Sequence, residues 1–211
     1  MKQILVLTLI FFMIGCSNTN KEINSEFSET KAIELCLSDN ADFQRYLNIS
    51  KEILFTVADC ELSEEEIFNL FQISDFETLY DATNSTPEDI KRYDSLSIYA
   101  ERLMVYYSVT EGECSLCSYS PDELSRTFVS IVGWIRTNPS DFNEFEPACT
   151  SLKDSGGGTR CRWVQYIACM GACCTLPPYL NALCVVACYC EFCTRESGHP
   201  MNSPCGQAST Q

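Results

Sequence analysis

The sequence predicts an all-α fold, in which short, capped helices form an acidic front domain that is followed by a disulfide-stapled helical hairpin. Two observations favour helices in the front: repeated N-terminal capping signals and apolar residues spaced three and four positions apart. The third observation is that nine of the 15 cysteines fall between Cys161 and Cys205, a density typical of disulfide scaffolds. No stretch shows the sustained alternation of apolar and polar residues that would predict a sheet.

Candidate helix starts in the front domain carry capping boxes. In a capping box a Ser or Thr side chain caps the helix, and an acidic side chain three positions later bonds back to the cap's N–H. Two of the candidates also place proline at the first helical position, where its missing N–H costs nothing. The four pairs are Ser63 with Glu66, Ser74 with Glu77, Thr86 with Asp89, and Ser120 with Glu123.

Apolar spacing predicts helices over residues 41–59, 87–108 and 121–137. Asn138-Pro139 ends the last of these helices, because a proline disfavours helical backbone at the residue before it. The side chains expected to face the core are Phe43, Tyr46, Leu47, Ile53, Leu54, Val57, Ile90, Tyr93, Leu96, Leu103, Met104, Tyr107, Leu124, Phe128, Ile131, Val132 and Ile135.

Charge divides the chain in the same place as the cysteines. Residues 17–155 hold 27 acidic and 10 basic residues, a net charge of −17, whereas residues 156–211 hold two acidic and three basic residues, a net charge of +1. The total of −15 excludes a generic nucleic-acid binder, which needs cations to displace counterions along the phosphates. A hydrophobic content of 45% excludes a disordered polyelectrolyte.

The N-terminus has the features of an export signal. Lys2 precedes an eleven-residue apolar run from Ile4 to Ile14, which suits a signal peptide and is too short to span a bilayer. The run ends in Met13-Ile14-Gly15-Cys16, which resembles the lipobox of bacterial lipoproteins. That resemblance implies cleavage before Cys16 and a covalent lipid on its sulfur. It also implies outer-membrane sorting through Ser17, if the cell has an outer membrane. The alternative is an ordinary cleaved signal peptide with Cys16 left as a thiol.

Fourteen cysteines remain if Cys16 carries a lipid, and an even number permits complete pairing in an oxidising compartment. Both the front and the tail hold an odd number, so at least one bridge must join them if every cysteine pairs within one chain. Cys149 lies next to the loop at 150–160 and is the expected crossing residue. The other front cysteines are Cys36, Cys60, Cys114 and Cys117.

The predicted organisation has six parts. Three glycines, Gly156 to Gly158, resist regular structure and predict a hinge between the front and the tail. The parts are a signal peptide at 1–15, a lipidated tether at 16–28, an acidic all-α domain at 29–149, a Gly-rich hinge at 150–160, a cysteine-rich hairpin at 161–205 and a tail at 206–211.

The cysteine-rich region predicts two helices, over 160–174 and 179–193, separated by Pro177-Pro178. Residues that face each other in an antiparallel hairpin have a constant sum of positions. Two pairs of cysteines satisfy the same sum and predict the disulfides Cys173–Cys184 and Cys169–Cys188. This CxxxC…CxxxC pattern resembles the α-hairpinins, which are stapled helix pairs. Cys161 is a candidate partner for Cys193 across the open end, whereas Cys174, Cys190 and Cys205 stay unassigned.

Signals for catalysis are weak. Cys114-x-x-Cys117 and Cys190-x-x-Cys193 have the spacing of redox or zinc pairs, but they lack the βαβ setting of a thioredoxin-like site, so structural disulfides are the preferred interpretation. His199 is the only histidine and has no hydrolase signature around it. We therefore expect no enzyme activity, no metal and no cofactor apart from the lipid on Cys16.

Three functional hypotheses follow. The first is a non-enzymatic interaction lipoprotein of the cell envelope, anchored to the membrane through its lipid. The second rests on architecture: an acidic front, a glycine hinge and an apolar, cysteine-dense C-terminal region resemble bacteriocin precursors of the fulvocin and halocin type. That resemblance implies a releasable antimicrobial tail with a protein or membrane target. The third is a thiol-disulfide carrier that uses Cys114 and Cys117.

Overall fold

The computed structural model describes residues 37–110, 119–145 and 159–195. The all-α prediction is confirmed within these ranges. The helices are α1 (Ala41–Asp59), α2 (Glu64–Gln72), α3 (Phe76–Ala82), α4 (Pro87–Tyr93), α5 (Ser95–Tyr107), α6 (Pro121–Thr137), α7 (Pro139–Asn143), α8 (Trp163–Ala172) and α9 (Pro178–Phe192), with short 3-10 turns at Leu37–Asp39 and Cys173–Thr175.

Three of the four capping boxes are confirmed, at the starts of α2, α4 and α6. The prediction for Ser74 is wrong, because α3 is capped by Asp75, whose side chain accepts from the N–H of Thr78 at 3.1 Å. Ser74 has a left-handed backbone, with φ of 55°. An N-cap normally has extended backbone, so this residue ends the turn after α2 and leaves the capping role to its neighbour.

The helix predicted over 87–108 is divided at Asp94 into α4 and α5. The hydroxyl of Ser95 donates to the carbonyl of Arg92, and that of Ser97 donates to the carbonyl of Asp94. Such side-chain bonds compete with the helical ladder and permit a break without leaving carbonyls unpaired. By contrast, the helices predicted over 41–59 and 121–137 match α1 and α6 at both ends.

The hairpin of α8 and α9 is part of the main hydrophobic core. Helix α9 packs against α1, and α8 packs against α5, so that front and hairpin residues form one buried cluster. Ten residues of α9 are buried, on every side of the helix, as expected for a helix surrounded by protein. An uncharged segment that looked like a separate module is therefore an interior element of the described structure.

The approach of α8 to α5 depends on a glycine. A Cβ atom added at Gly171 would meet the sulfur of Met104 at 2.0 Å, which is far inside van der Waals contact. Gly171 lets the Met104 side chain lie directly on the α8 backbone. Helices α5 and α8 therefore approach each other closely at this point.

A two-stranded antiparallel ladder closes the open end of the hairpin, where the sequence predicts no sheet. Strand β1 (Thr159–Cys161) pairs with β2 (Cys193–Arg195), and Cys161 is the register partner of Cys193. The N–H of Arg162 also donates to the carbonyl of Phe192, at 2.9 Å. Because residues 159–161 are extended, α8 begins at Trp163, three residues after the predicted start.

Candidate functional site: the stapled hairpin and its cradle

Both disulfides predicted from spacing are present. Cys169–Cys188 has a Cα–Cα distance of 5.9 Å, and Cys173–Cys184 has one of 6.5 Å. All four side chains are completely buried. The turn at Pro177-Pro178 sets the register, since it places residues with the same positional sum opposite each other on α8 and α9.

The sulfurs of the two bridges lie close together. Those of Cys173, Cys184 and Cys188 fall within 4.8 Å of one another, a spacing that could also hold a metal ion. Each of these sulfurs is already bonded to another cysteine, and a soft metal binds thiolates. The short distances between these sulfurs are therefore explained by two neighbouring disulfides that join α8 and α9.

Two cysteines depart from the expected complete pairing: Cys60 and Cys174 are thiols. Cys60 lies at the C-terminal end of α1, where the guanidinium of Arg136 donates to its carbonyl at 3.2 Å. Cys174 follows Cys173 directly and so points away from the two disulfides, towards α5, where its Sγ donates to the carbonyl of Ser97 at 3.6 Å. The expected pairing of all fourteen cysteines is therefore wrong for these two residues.

Cys190 and Cys193 are both disulfide-bonded. The register of the ladder brings the backbone of Cys161 opposite Cys193, as their predicted pairing requires, but the side chain of Cys161 is outside the described part of the structure. The pairing therefore stays a prediction. Several other predictions also stay predictions, because they concern residues outside the described structure. These residues are Cys16, Cys36, Cys114, Cys117, Cys149, Cys205, His199 and the glycines at 156–158.

A polar contact joins the first turn of α9 to the front. The hydroxyl of Tyr46 lies 2.6 Å from Oδ1 of Asn181 and 2.9 Å from its carbonyl oxygen, so both oxygens share one donor. Tyr46 is completely buried and Asn181 is 2% exposed. A buried amide costs free energy unless it is hydrogen-bonded, so this contact specifies how α9 sits against α1.

Tyr179, at the start of α9, is held in an aromatic cradle. Its ring lies 5.0 Å from that of Tyr80 and 6.3 Å from that of Phe76, measured between centroids. Its hydroxyl lies 3.2 Å from Oγ1 of Thr83. Burial raises the pKa of Tyr179 to about 12, although hydrogen bonds with Thr83 and Ser85 oppose the shift. The neutral phenol is therefore strongly preferred in the folded protein.

A third tyrosine holds the hairpin together from within. Tyr166 on α8 donates to the carbonyl of Val185 on α9, at 3.1 Å, and its ring meets that of Phe43 edge-on. Burial raises the pKa of Tyr166 well above its usual value. These tyrosine contacts are the part of the site that spacing did not predict. The one sequence signal was Asn181, the only amide in α9.

A cleft of about 250 Å³ opens between the hairpin turn and α5. Its wall includes Asp94, Ser97, Cys174 and Asn181. None of its lining residues is a histidine, lysine or arginine, so no imidazole or cation in this lining stands beside the Cys174 thiol to stabilise a thiolate. The cleft thus holds a thiol and a carboxylate in its lining, without a thiol–imidazole pair.

Within the described ranges, no helix has both the length and the apolar character needed to cross a membrane. No family model matches the chain, and neither a curated protein nor a solved structure matches it. The fold and the hairpin geometry therefore carry the functional argument.

Proposed function

We propose that this protein is an exported, lipid-anchored and non-enzymatic interaction protein of the bacterial cell envelope. The observation that carries the proposal is the pair of buried disulfides in the hairpin. Disulfides form and persist in oxidising compartments, so they agree with the export signal that the N-terminal sequence predicts. The lipobox then supplies the anchor through Cys16, and residues 16–28 supply a tether.

In this proposal the hairpin is a structural element. Its apolar residues are covered by the front domain, and its bridges restrict the unfolded chain, which stabilises a small core. Partners would meet the outer faces of the front helices. The cleft beside Cys174 has no imidazole or cation in its lining, which favours binding over catalysis.

Mass spectrometry of the mature protein, purified from membranes, tests the anchor. We expect a chain that begins at Cys16 and carries acyl groups on that residue, and we expect Cys16→Ala to abolish membrane attachment. An unmodified mature N-terminus released into the medium would contradict the proposal.

A bacteriocin-like role is the second candidate, and the burial of the hairpin favours it in one respect. A membrane-active hairpin must be masked until release, and the front covers the apolar faces of α9. This candidate requires a free fragment that begins near Gly157–Thr159. Detection of such a fragment in culture medium would support it, whereas an intact acylated chain alone would favour the envelope protein.

A further inference from the structure

One side of α5 is exposed and has a regular pattern. Ile98, Glu101, Arg102, Val105 and Tyr106 follow each other at positions i, i+3, i+4, i+7 and i+8, so they form one stripe along the helix. All five are exposed, whereas the opposite side of α5 packs on α1 and α8. The stripe is therefore a continuous outer surface of the described structure.

This stripe is rich in exposed apolar groups. Ile98 is 48% exposed, Val105 is 79% exposed and Tyr106 is 61% exposed. They are three of the six large apolar side chains that are exposed in the described residues. Apolar residues gathered in one place, with polar neighbours, mark interaction surfaces more often than scattered ones do.

The stripe is complementary to itself. In an antiparallel pair of identical helices, facing positions have a constant sum, and a two-fold axis between Glu101 and Arg102 sets that sum. Ile98 then faces Val105 of the second helix, while Glu101 faces Arg102, and each contact occurs twice by symmetry. The apolar side chains of Ile98 and Val105 meet, Tyr106 falls opposite Ser97, and opposite charges meet at the centre.

We propose that the α5 stripe is a homodimer interface, in which two copies of this chain pack their α5 helices antiparallel about an axis between positions 101 and 102. A symmetric contact needs a surface whose two halves complement each other, and this stripe has that property without help from another chain. The proposal is independent of the anchor, although tethering two copies to one membrane would raise their effective concentration.

The present contacts of Arg102 leave its guanidinium available. It lies 3.7 Å from Oδ1 of Asp42 and 5.8 Å from the centre of the Tyr99 ring, and its side chain is 57% exposed. Asp42 also pairs with Arg45, at 3.2 Å, so two guanidiniums share one carboxylate. A second carboxylate, from Glu101 of the other copy, would balance this group of charges.

A charge-swap experiment tests the geometry. The protein is the mature chain with Cys16→Ser, which is free of lipid, and sedimentation equilibrium measures its dimer affinity. Glu101→Arg alone and Arg102→Glu alone each place like charges opposite each other twice, and we expect dimers about tenfold weaker. The double variant restores opposite charges, so its affinity should return towards that of the unsubstituted chain. Val105→Asp should weaken the dimer through the apolar contact.

The controls separate this interface from general effects of charge. Lys91→Glu and Asp81→Arg change the net charge as much as the test variants do, at exposed positions on α4 and α3, and they should leave the dimer affinity unchanged. A monomer at every concentration would overturn the proposal. So would a dimer that is insensitive to the single swaps, or one that the double variant does not restore. Circular dichroism of each variant confirms that it is folded.

Discussion

Single residues explain how two chemically different halves of the chain fit together. Tyr46 and Asn181 are 135 positions apart, yet they form a buried hydrogen bond between α1 and α9. Sequence spacing predicts that Tyr46 faces a core, because it belongs to an apolar stripe. It cannot predict that Asn181 meets it, since that contact depends on the packing of distant elements.

Ser50 is the opposite case, a buried polar group without compensation. Its side chain is completely buried in α1, and its hydroxyl makes no hydrogen bond among the described residues. Ser50→Ala should raise the free energy of unfolding by about 1 kcal/mol, because it removes an unsatisfied group and improves helix propensity. Urea denaturation measures the change.

Ser125→Ala is the matched control for that experiment. Ser125 is equally buried, but its hydroxyl donates to the carbonyl of Pro121 at 2.6 Å and accepts from Gln72 at 3.2 Å. The same substitution should therefore destabilise the protein. If both variants lose stability, the hydroxyl of Ser50 has a partner after all.

At the scale of elements, the aromatic contact between α3 and α9 makes the free energy of unfolding depend on pH in the alkaline range. Burial raises the pKa values of Tyr80 and Tyr179 to about 12, whereas an unfolded chain ionises tyrosine near 10. The contribution of these two neutral tyrosines to the free energy of unfolding is thus complete below pH 10 and is lost as the pH rises to about 12. We expect Tyr179→Phe to flatten this decline and to lower stability slightly at neutral pH, since the bond to Thr83 is lost.

Urea denaturation at a series of pH values, with tyrosinate absorbance recorded alongside, checks this expectation. Tyr119→Phe, at an exposed position just before α6, serves as the control and should keep the unsubstituted profile. An unchanged profile in Tyr179→Phe would mean that the cradle of Tyr179 does not contribute to the alkaline transition.

The two staples are the elements on which the hairpin depends. They join positions 19 and 11 residues apart, and a loop of this size contributes about 3 kcal/mol in the chain-entropy model. Replacing either pair by alanines should lower the free energy of unfolding by about that amount. Cys60→Ala, which removes a free thiol, should cost much less. Equal losses in all three variants would argue against a structural role for the bridges.

Helix boundaries show how far local rules extend. The boxes at Ser63, Thr86 and Ser120 were predictable because each depends on residues three positions apart. Ser74 satisfied the same rule and failed, because the chain leaves α2 in a left-handed conformation there. That conformation is set by where α3 must pack, and a capping pattern contains no information about it.

At the scale of the whole molecule, the core that the front shares with the hairpin can be tested by cutting the chain at the predicted hinge. We expect the front and the hairpin to stay together after proteolytic cleavage at a site inserted between Ser155 and Gly156, because α9 packs on α1 and α8 packs on α5 within one buried cluster. Size-exclusion chromatography in native buffer should show one complex. Fragments that separate in native buffer would contradict this arrangement.

A non-reducing denaturing gel of the same cleaved protein tests the bridge predicted from Cys149 to the tail. A covalent complex would support a crossing disulfide. Two separate bands would show that the crossing is absent, whereas the packing result from native buffer would still stand.

The sequence by itself determined the helical class, the extent of α1 and α6, three capped starts and both staples of the hairpin. Each of these depends on residues that are near in sequence or on the symmetry of a single turn. Only the tertiary structure decided that the apolar hairpin is an interior element, that Tyr46 and Tyr179 hold it, and that α5 presents an exposed stripe. Those features depend on which distant surfaces cover each other, and burial of that kind leaves no local pattern in the chain.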